Sequence, residues 1–247
     1  MTSYGGADLF EYMKHMTIKE ALNLGLINKE AYSIIRSEKF WRFFVNRDYP
    51  YFVLDKDENP ESAYRKIYDN RNDKYVTMRS GEIFEQFRYH QNIIEFNCFD
   101  NRLKSLVGCP PGVKTLHCSD NRLTSLVGCP ASVRDLNCSG NQLSSLDGCP
   151  VNVHVLNCHN NRLTSLDGCP VNVHVLNCHN NRLTSLDGCP ESVNRLYCSD
   201  NSLQTLNIYL PQVYYINYGN NPLIPPWNRY SEYDILKIMH DPAYHQL

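Results

Sequence analysis

The chain has 247 residues, 42% hydrophobic and 20% charged, with a net charge of -2. That is an ordinary globular balance, sized for one large domain or two small ones, and it supplies no strong field for nucleic acid or anionic lipid. No apolar run approaches the ~20 residues needed to span a bilayer, and residues 1–16 lack the basic-then-apolar pattern of a secretory leader, so an intracellular protein with no membrane or nucleic-acid partner is expected.

Residues 1 to about 90 carry no repeat and read as helical. Thr17-Ile18-Lys19-Glu20 has the form of a capping box, with Thr17 as N-cap and Glu20 at the third helical position. Ala21, Leu22, Leu24, Leu26 and Ile27 follow as an apolar helix. Asp55 to Asn59 reads as a solvated loop, and Asn59-Pro60 as the cap and first residue of a helix through Glu61 to Tyr68.

From Ile93 to Val213 and just beyond, the sequence repeats every 20 residues, giving roughly seven turns. The consensus is V-x-x-L-x-C-x-x-N-x-L-x-x-L-x-G-C-P, filled in one unit by Val113, Leu116, Cys118, Asn121, Leu123 and Leu126. Residues 151–170 and 171–190 are identical. Within V-x-x-L-x-C, residues two apart share a face of a short strand. Leu116 and Cys118 therefore point inward, and Thr115 and His117 outward. Parallel strands about 4.8 Å apart would make a solenoid roughly 30 Å long whose rungs share one core.

The Asn column (Asn101, Asn121, Asn141, Asn161, Asn181, Asn201, Asn221) falls at the corner where the chain leaves the strand. A side-chain amide offers donors and an acceptor, so these residues are expected to satisfy main-chain groups there as a structural ladder between rungs. The Gly-Cys-Pro segments mark return loops, expected to be extended or 3₁₀ because 20 residues leave no room for a full helix. All 11 cysteines lie between Cys98 and Cys198, spaced alternately by 11 and 9 residues. The odd count and the spacing argue against a disulfide framework, and no C-x-x-C pair suggests zinc. They read as buried free thiols, which implies a reducing compartment.

The outward strand positions are the candidate partner-binding face: Thr115, Asp135, Arg195 and Tyr215 in one column, His117, Asn137, Asn157, Asn177 and Tyr197 in the next. Flanking them are His154, His174, His159 and His179. Stacked imidazoles can hold a metal or sense pH, but duplication alone also stacks them, and no metal or cofactor is expected. Toward the C-terminus the face turns aromatic, as recognition surfaces do. Trp227 and a helix from Ser231 to about Met239, with Ser231 as N-cap and Asp234 at the third position, are expected to cap the array.

The consensus resembles the leucine-rich-repeat family, L-x-x-L-x-L-x-x-N-x-L, position by position over about residues 93–223, with Cys where that family usually has Leu. This implies an α/β solenoid of parallel strands binding a protein on its strand face. At the N-terminus, Asp8-Leu9-Phe10, ALNLGLINKEAY (Ala21 to Tyr32), FWRFFVNRDYP (Phe40 to Pro50) and AYRKIY (Ala63 to Tyr68) resemble the F-box versions of large DNA viruses, without the usual Leu-Pro opening. That resemblance implies docking to a Skp-type adaptor through Leu22, Leu24, Leu26 and Ile27, the solenoid serving as substrate receptor of a cullin ubiquitin ligase. The Cys-Pro-rich unit also resembles giant-virus repeat proteins, which implies host cytoplasm or nucleus, or a virion. The alternative is a structural or virion-associated binding protein whose N-terminal helices only cap the solenoid. The expected parts are a helical region 1–92, a solenoid 93–223 and a cap 224–247. No G-x-S-x-G, H-E-x-x-H or P-loop pattern occurs, and identical copies suit a binding surface better than an active site, so no catalysis is expected.

Overall fold

A computed structural model of the protein describes residues 6–27, 29–48, 57–69, 73–79, 82, 84–87 and 92–245. The chain divides into two compact units, residues 1–73 with 88–92 and residues 74–87 with 93–247.

The first unit contains helices α1 (Gly6–Met13), α2 (Ile18–Ile27), α3 (Lys29–Ile35), α4 (Glu38–Asp48) and α5 (Pro60–Asp69). Local chemistry sets their starts. The Glu20 carboxylate accepts from the Thr17 N–H at 2.8 Å, and the Thr17 hydroxyl accepts from the Glu20 N–H at 3.3 Å, completing the capping box of α2. Asn59 Oδ1 accepts from the Ser62 N–H at 3.0 Å, and Pro60 opens α5. Phe40, Trp41, Phe44 and Val45 of α4 are buried with Met13, Ala21, Ala63, Tyr64 and Ile67. Arg47 ties the turn between α1 and α2 by donating to the carbonyls of Lys14 (3.0 Å) and Met16 (2.7 Å).

The second unit is built on one parallel sheet, in chain order: β1 (Tyr75–Thr77), β2 (Glu95–Asn97), β3 (Thr115–His117), β4 (Asp135–Asn137), β5 (Val155–Asn157), β6 (Val175–Asn177), β7 (Arg195–Tyr197) and β8 (Tyr215–Asn217). Each strand pairs with the next in a register of 20 residues, so Leu116, Leu136, Leu156, Leu176, Leu196 and Ile216 stack inward in a single file. Only three residues per turn are strand, because the chain must bend twice within each 20-residue rung.

β1 corrects the expectation that everything before about residue 90 is helical. Tyr75, Val76 and Thr77 lie 20 residues before Glu95, Phe96 and Asn97 and pair with them. Met78 stands in the cysteine column, its N–H donating to the Asn97 carbonyl at 2.7 Å. Aromatic and β-branched residues favour the extended state here. The repeat was illegible because this first rung has neither the corner Asn nor the Gly-Cys-Pro loop.

The return loops contain turns and extended backbone, with no 3₁₀ segment in the Gly-Cys-Pro stretches. Cys109 N–H donates to the Leu106 carbonyl at 3.0 Å, and the same bond recurs at Cys129, Cys149, Cys169 and Cys189. Gly128 has φ +92°, and a Cβ there would stand 2.5 Å from Val107 N, so both backbone angle and the neighbouring rung require glycine. At the C-terminal end, Ser231 and Asp234 form a capping box for α6 (Glu232–His240). Ile235 and Met239 enter the solenoid core, Leu210 N–H donates to the Met239 carbonyl at 2.9 Å, and Trp227 packs half-buried against the same core.

Deleting residues 151–170 should leave a folded chain, because the two rungs it joins already meet an identical neighbour. X-ray scattering and circular dichroism are expected to show native structure with the solenoid shorter by about one 4.8 Å rung; global unfolding would contradict nearest-neighbour stacking.

Candidate functional site

The strands of the face are held in register by the corner asparagines. Asn141 Nδ2 donates to the carbonyls of Cys138 (3.0 Å) and Ser139 (3.1 Å) in its own rung and of Cys118 (3.0 Å) in the preceding one. Its Oδ1 accepts from the Leu123 N–H at 2.9 Å. The same set recurs at Asn121, Asn161, Asn181, Asn201 and Asn221. Each amide thus ties two rungs through main-chain atoms and not through the next amide. Asn101, first in the file, donates to the Met78 and Phe99 carbonyls, while its Oδ1 is buried without a hydrogen-bond partner.

A Leu-x-Cys-x-x-Asn corner bonded in this way, repeated with one parallel strand per turn, decides the architecture. The second unit is a solenoid of leucine-rich-repeat architecture. No family model and no curated protein matches the chain. Among solved structures, YopM from Yersinia enterocolitica WA-314 is 32% identical over 54% of this chain, with TM-score 0.49. The match spans 30% of that protein's length. A Shigella effector LRR domain is 22% identical over 75% of this chain and 78% of its own, with TM-score 0.48. The functional domain of InlJ from Listeria monocytogenes, described as including a cysteine ladder, is 25% identical over 62% of this chain and 39% of its own, with TM-score 0.45.

The solenoid brings the candidate face residues into two files. Thr115, Asp135 and Arg195 stand in register with Glu95, Val155, Val175 and Tyr215. His117, Asn137, Asn157, Asn177 and Tyr197 form the neighbouring file, mostly half-buried. His117 Nε2 lies 3.6 Å from Glu95 Oε1. His154 and His174 sit one residue before their strands, His159 and His179 two residues after. The imidazoles stack pairwise, His154 on His174 with centroids 5.7 Å apart and His159 on His179 at 4.4 Å. Burial, then the neighbouring His179, lowers the His159 pKa, with Asp120 opposing.

At the C-terminal end, Arg195 Nε donates to the Tyr214 hydroxyl at 2.6 Å and its guanidinium lies over that ring, while Tyr197 and Tyr215 approach to 5.2 Å. Tyr214 is 57% exposed and Tyr215 38%, so this aromatic and cationic group is open to a partner. The pairing of Arg195 with Tyr214 joins adjacent rungs 19 residues apart and is not visible in either repeat alone. The structure also adds exposed Lys114 and Arg134 to the file that carries His154 and His174, a basic edge signalled only by the 20-residue phase.

Of the four residues implied for adaptor docking, Leu22 lines an open cavity of about 330 Å³ with Ile18, Lys19, Asn23, Trp41, Tyr64 and Arg65. Leu24, Leu26 and Ile27 lie in α2, but their side chains fall outside the described residues. Trp41 contributes a buried Nε1 without a hydrogen-bond partner, a feature its Phe-rich surroundings in sequence did not signal. No described helix is long and apolar enough to cross a membrane. Among the described residues, no group of three or more His, Cys, Asp or Glu side chains is arranged to hold a metal ion.

All 11 cysteines are free. The file from Cys98 to Cys198 is fully buried, and the file from Cys109 to Cys189 is buried or half-buried. Burial pushes the Cys149 thiol up to about 12, and the Cys98 and Cys129 thiols likewise. Neutral thiols are inert toward electrophiles. The native chain should therefore react only slowly with a disulfide reagent at about pH 8, and release all its thiols on unfolding. A thiol whose folded pKa is raised contributes stability that is intact below the unfolded value near 9 and is lost as pH rises toward the folded one. Urea midpoints measured across about pH 7 to 11 are expected to hold steady at first and then fall above about 9.

Proposed function

We propose that the chain is a non-enzymatic binding protein that holds a protein partner on its strand face. The observation that carries this reading is the face itself: two in-register files of outward side chains, ending in the open cluster of Arg195, Tyr197, Tyr214 and Tyr215. Aromatic and Arg side chains held by their neighbours lose little conformational freedom on binding, which is why they dominate interface energetics. Replacing Tyr197 and Tyr215 with Ala should weaken a partner recovered by the full chain by about tenfold or more. Replacing the exposed return-loop residues Asp147 and Asp167 with Ala should leave it unchanged. Equal retention by all variants would move the interface off the strand face.

The finer form of this reading is an F-box-like adaptor acting on host ubiquitin machinery, with a Skp-type protein docked on the N-terminal helices. It is supported by the order of motifs from Asp8 to Tyr68 and by the open cavity beside Leu22. Full-length protein is expected to co-purify with a Skp-type adaptor and to lose it on Leu22→Asp, with the solenoid still folded by circular dichroism. Failure of the folded wild-type chain to co-purify favours the alternative, a structural or virion-associated binding protein whose N-terminal helices serve as a cap.

A further inference from the structure

The two identical repeats set four histidines on the strand face, and the protonated nitrogen of each ring is fixed by its neighbours. Nδ1 of His159 faces Asn157 Oδ1 at 2.5 Å, and Nδ1 of His179 faces Asn177 Oδ1 at 2.8 Å. The same Asn177 oxygen accepts from the His179 main-chain N–H at 3.3 Å, as Asn137 Oδ1 does from Ser139 and Asn97 Oδ1 from Phe99. These oxygens are acceptors, so Nδ1 carries the proton and each neutral ring presents a bare lone pair at Nε2. His154 and His174 follow the same rule, their Nδ1 atoms 3.2 Å from the carbonyls of Asn172 and Ser192. Among the described residues, no hydrogen bond or ion pair uses Nε2 of His159 or His179.

The His159 and His179 rings lie 12° from parallel with centroids 4.4 Å apart, and each turns Nδ1 to the equivalent Asn of its own rung, so the two Nε2 lone pairs point side by side. Two metal–nitrogen bonds of about 2.0–2.1 Å span at most ~4.2 Å, short of the 4.4 Å between the ring centroids, so one transition-metal ion does not bridge rings stacked in this way. A larger bridging donor suits the spacing. Two acceptors on one tetrahedral ammonium stand about 4.7 Å apart when each hydrogen bond is ~2.9 Å long. A guanidinium sends its paired N–H bonds out in parallel, matched to the narrower bite of a carboxylate. Asp120 adds negative charge near His159, and among the described residues the other titratable group acting on that ring is His179.

We propose that His159 and His179 form a receptor for a lysine side chain of the partner protein, its ammonium bridging the two Nε2 atoms. The proposal rests on the strand face being the partner surface. It gives the duplication a chemical role, since one repeat supplies one acceptor and only two adjacent copies supply the bridge. Protonation of His159 at Nε2 turns that acceptor into a donor and removes its half of the bridge, and burial moves this to lower pH than for a free imidazole.

The test is fluorescence anisotropy of labelled octalysine and octaarginine with the full chain, at constant salt. Octalysine should bind the wild type about tenfold more tightly than the His159→Phe/His179→Phe variant at about pH 7.5, and that advantage should fall on acidification to about pH 4.5, below the usual histidine range because burial lowers the His159 pKa. Octaarginine should not distinguish the two proteins. The His159→Gln/His179→Gln variant, with folding checked by circular dichroism, serves if the Phe pair disrupts the sheet. Equal octalysine affinity in wild type and variant overturns the receptor, as does an advantage indifferent to pH. Zn²⁺ held tightly by the wild type and lost from the variant overturns it in favour of a metal site. A chain that ignores octalysine but still holds its partner through Tyr197 and Tyr215 overturns the lysine receptor alone. Loss of dependence on both groups overturns the strand-face reading itself.

Discussion

The solenoid depends on one recurring problem and its solution: at every corner the main chain leaves the sheet while still inside the protein. Carbonyls there would be buried without partners, at a cost of about 1–3 kcal/mol each. One asparagine amide answers three of these carbonyls and, through its oxygen, an N–H of the preceding rung. Because each amide spans two rungs, the same bonds that close a corner also fix the 20-residue register. Leucine files, cysteine files and the outward face all inherit that register.

This is why the second unit was legible from sequence and the first far less so. A side chain with a single workable role recurs at every turn, and Asn121, Leu123 and Leu126 mark their positions without reference to distant residues. The caps at Thr17, Asn59 and Ser231 were equally legible, since a cap is satisfied within four residues. β1 was not, because its rung lacks the corner asparagine and is recognised only by pairing with β2. The candidate face was readable as files of residues but not as chemistry. Arg195 meeting Tyr214, or Asn157 dictating which nitrogen of His159 carries its proton, are relations between positions that sequence spacing leaves open.

The cysteines illustrate a core built under tight volume limits. With three-residue strands and no helix in the Gly-Cys-Pro returns, the interior of each of these rungs is narrow. Cys118 and Cys138 stand where the repeat family usually has leucine, and a smaller side chain is accommodated there without exposing apolar surface. Their thiols stay neutral because burial penalises the thiolate, so the chemistry of sulfur is suppressed and its packing is retained.

The ladder of short parallel strands has a kinetic consequence. Most tertiary contacts in the second unit join residues about 20 apart, whatever the length of the array. Loop closure over such a span costs little entropy, and its cost does not grow as rungs are added. A nascent rung can dock on the one before it as soon as it leaves the ribosome, so assembly can proceed as a zipper that follows synthesis. The reverse holds under load. A pull on either end would peel rungs off one at a time, with the interior twin repeats the last to open.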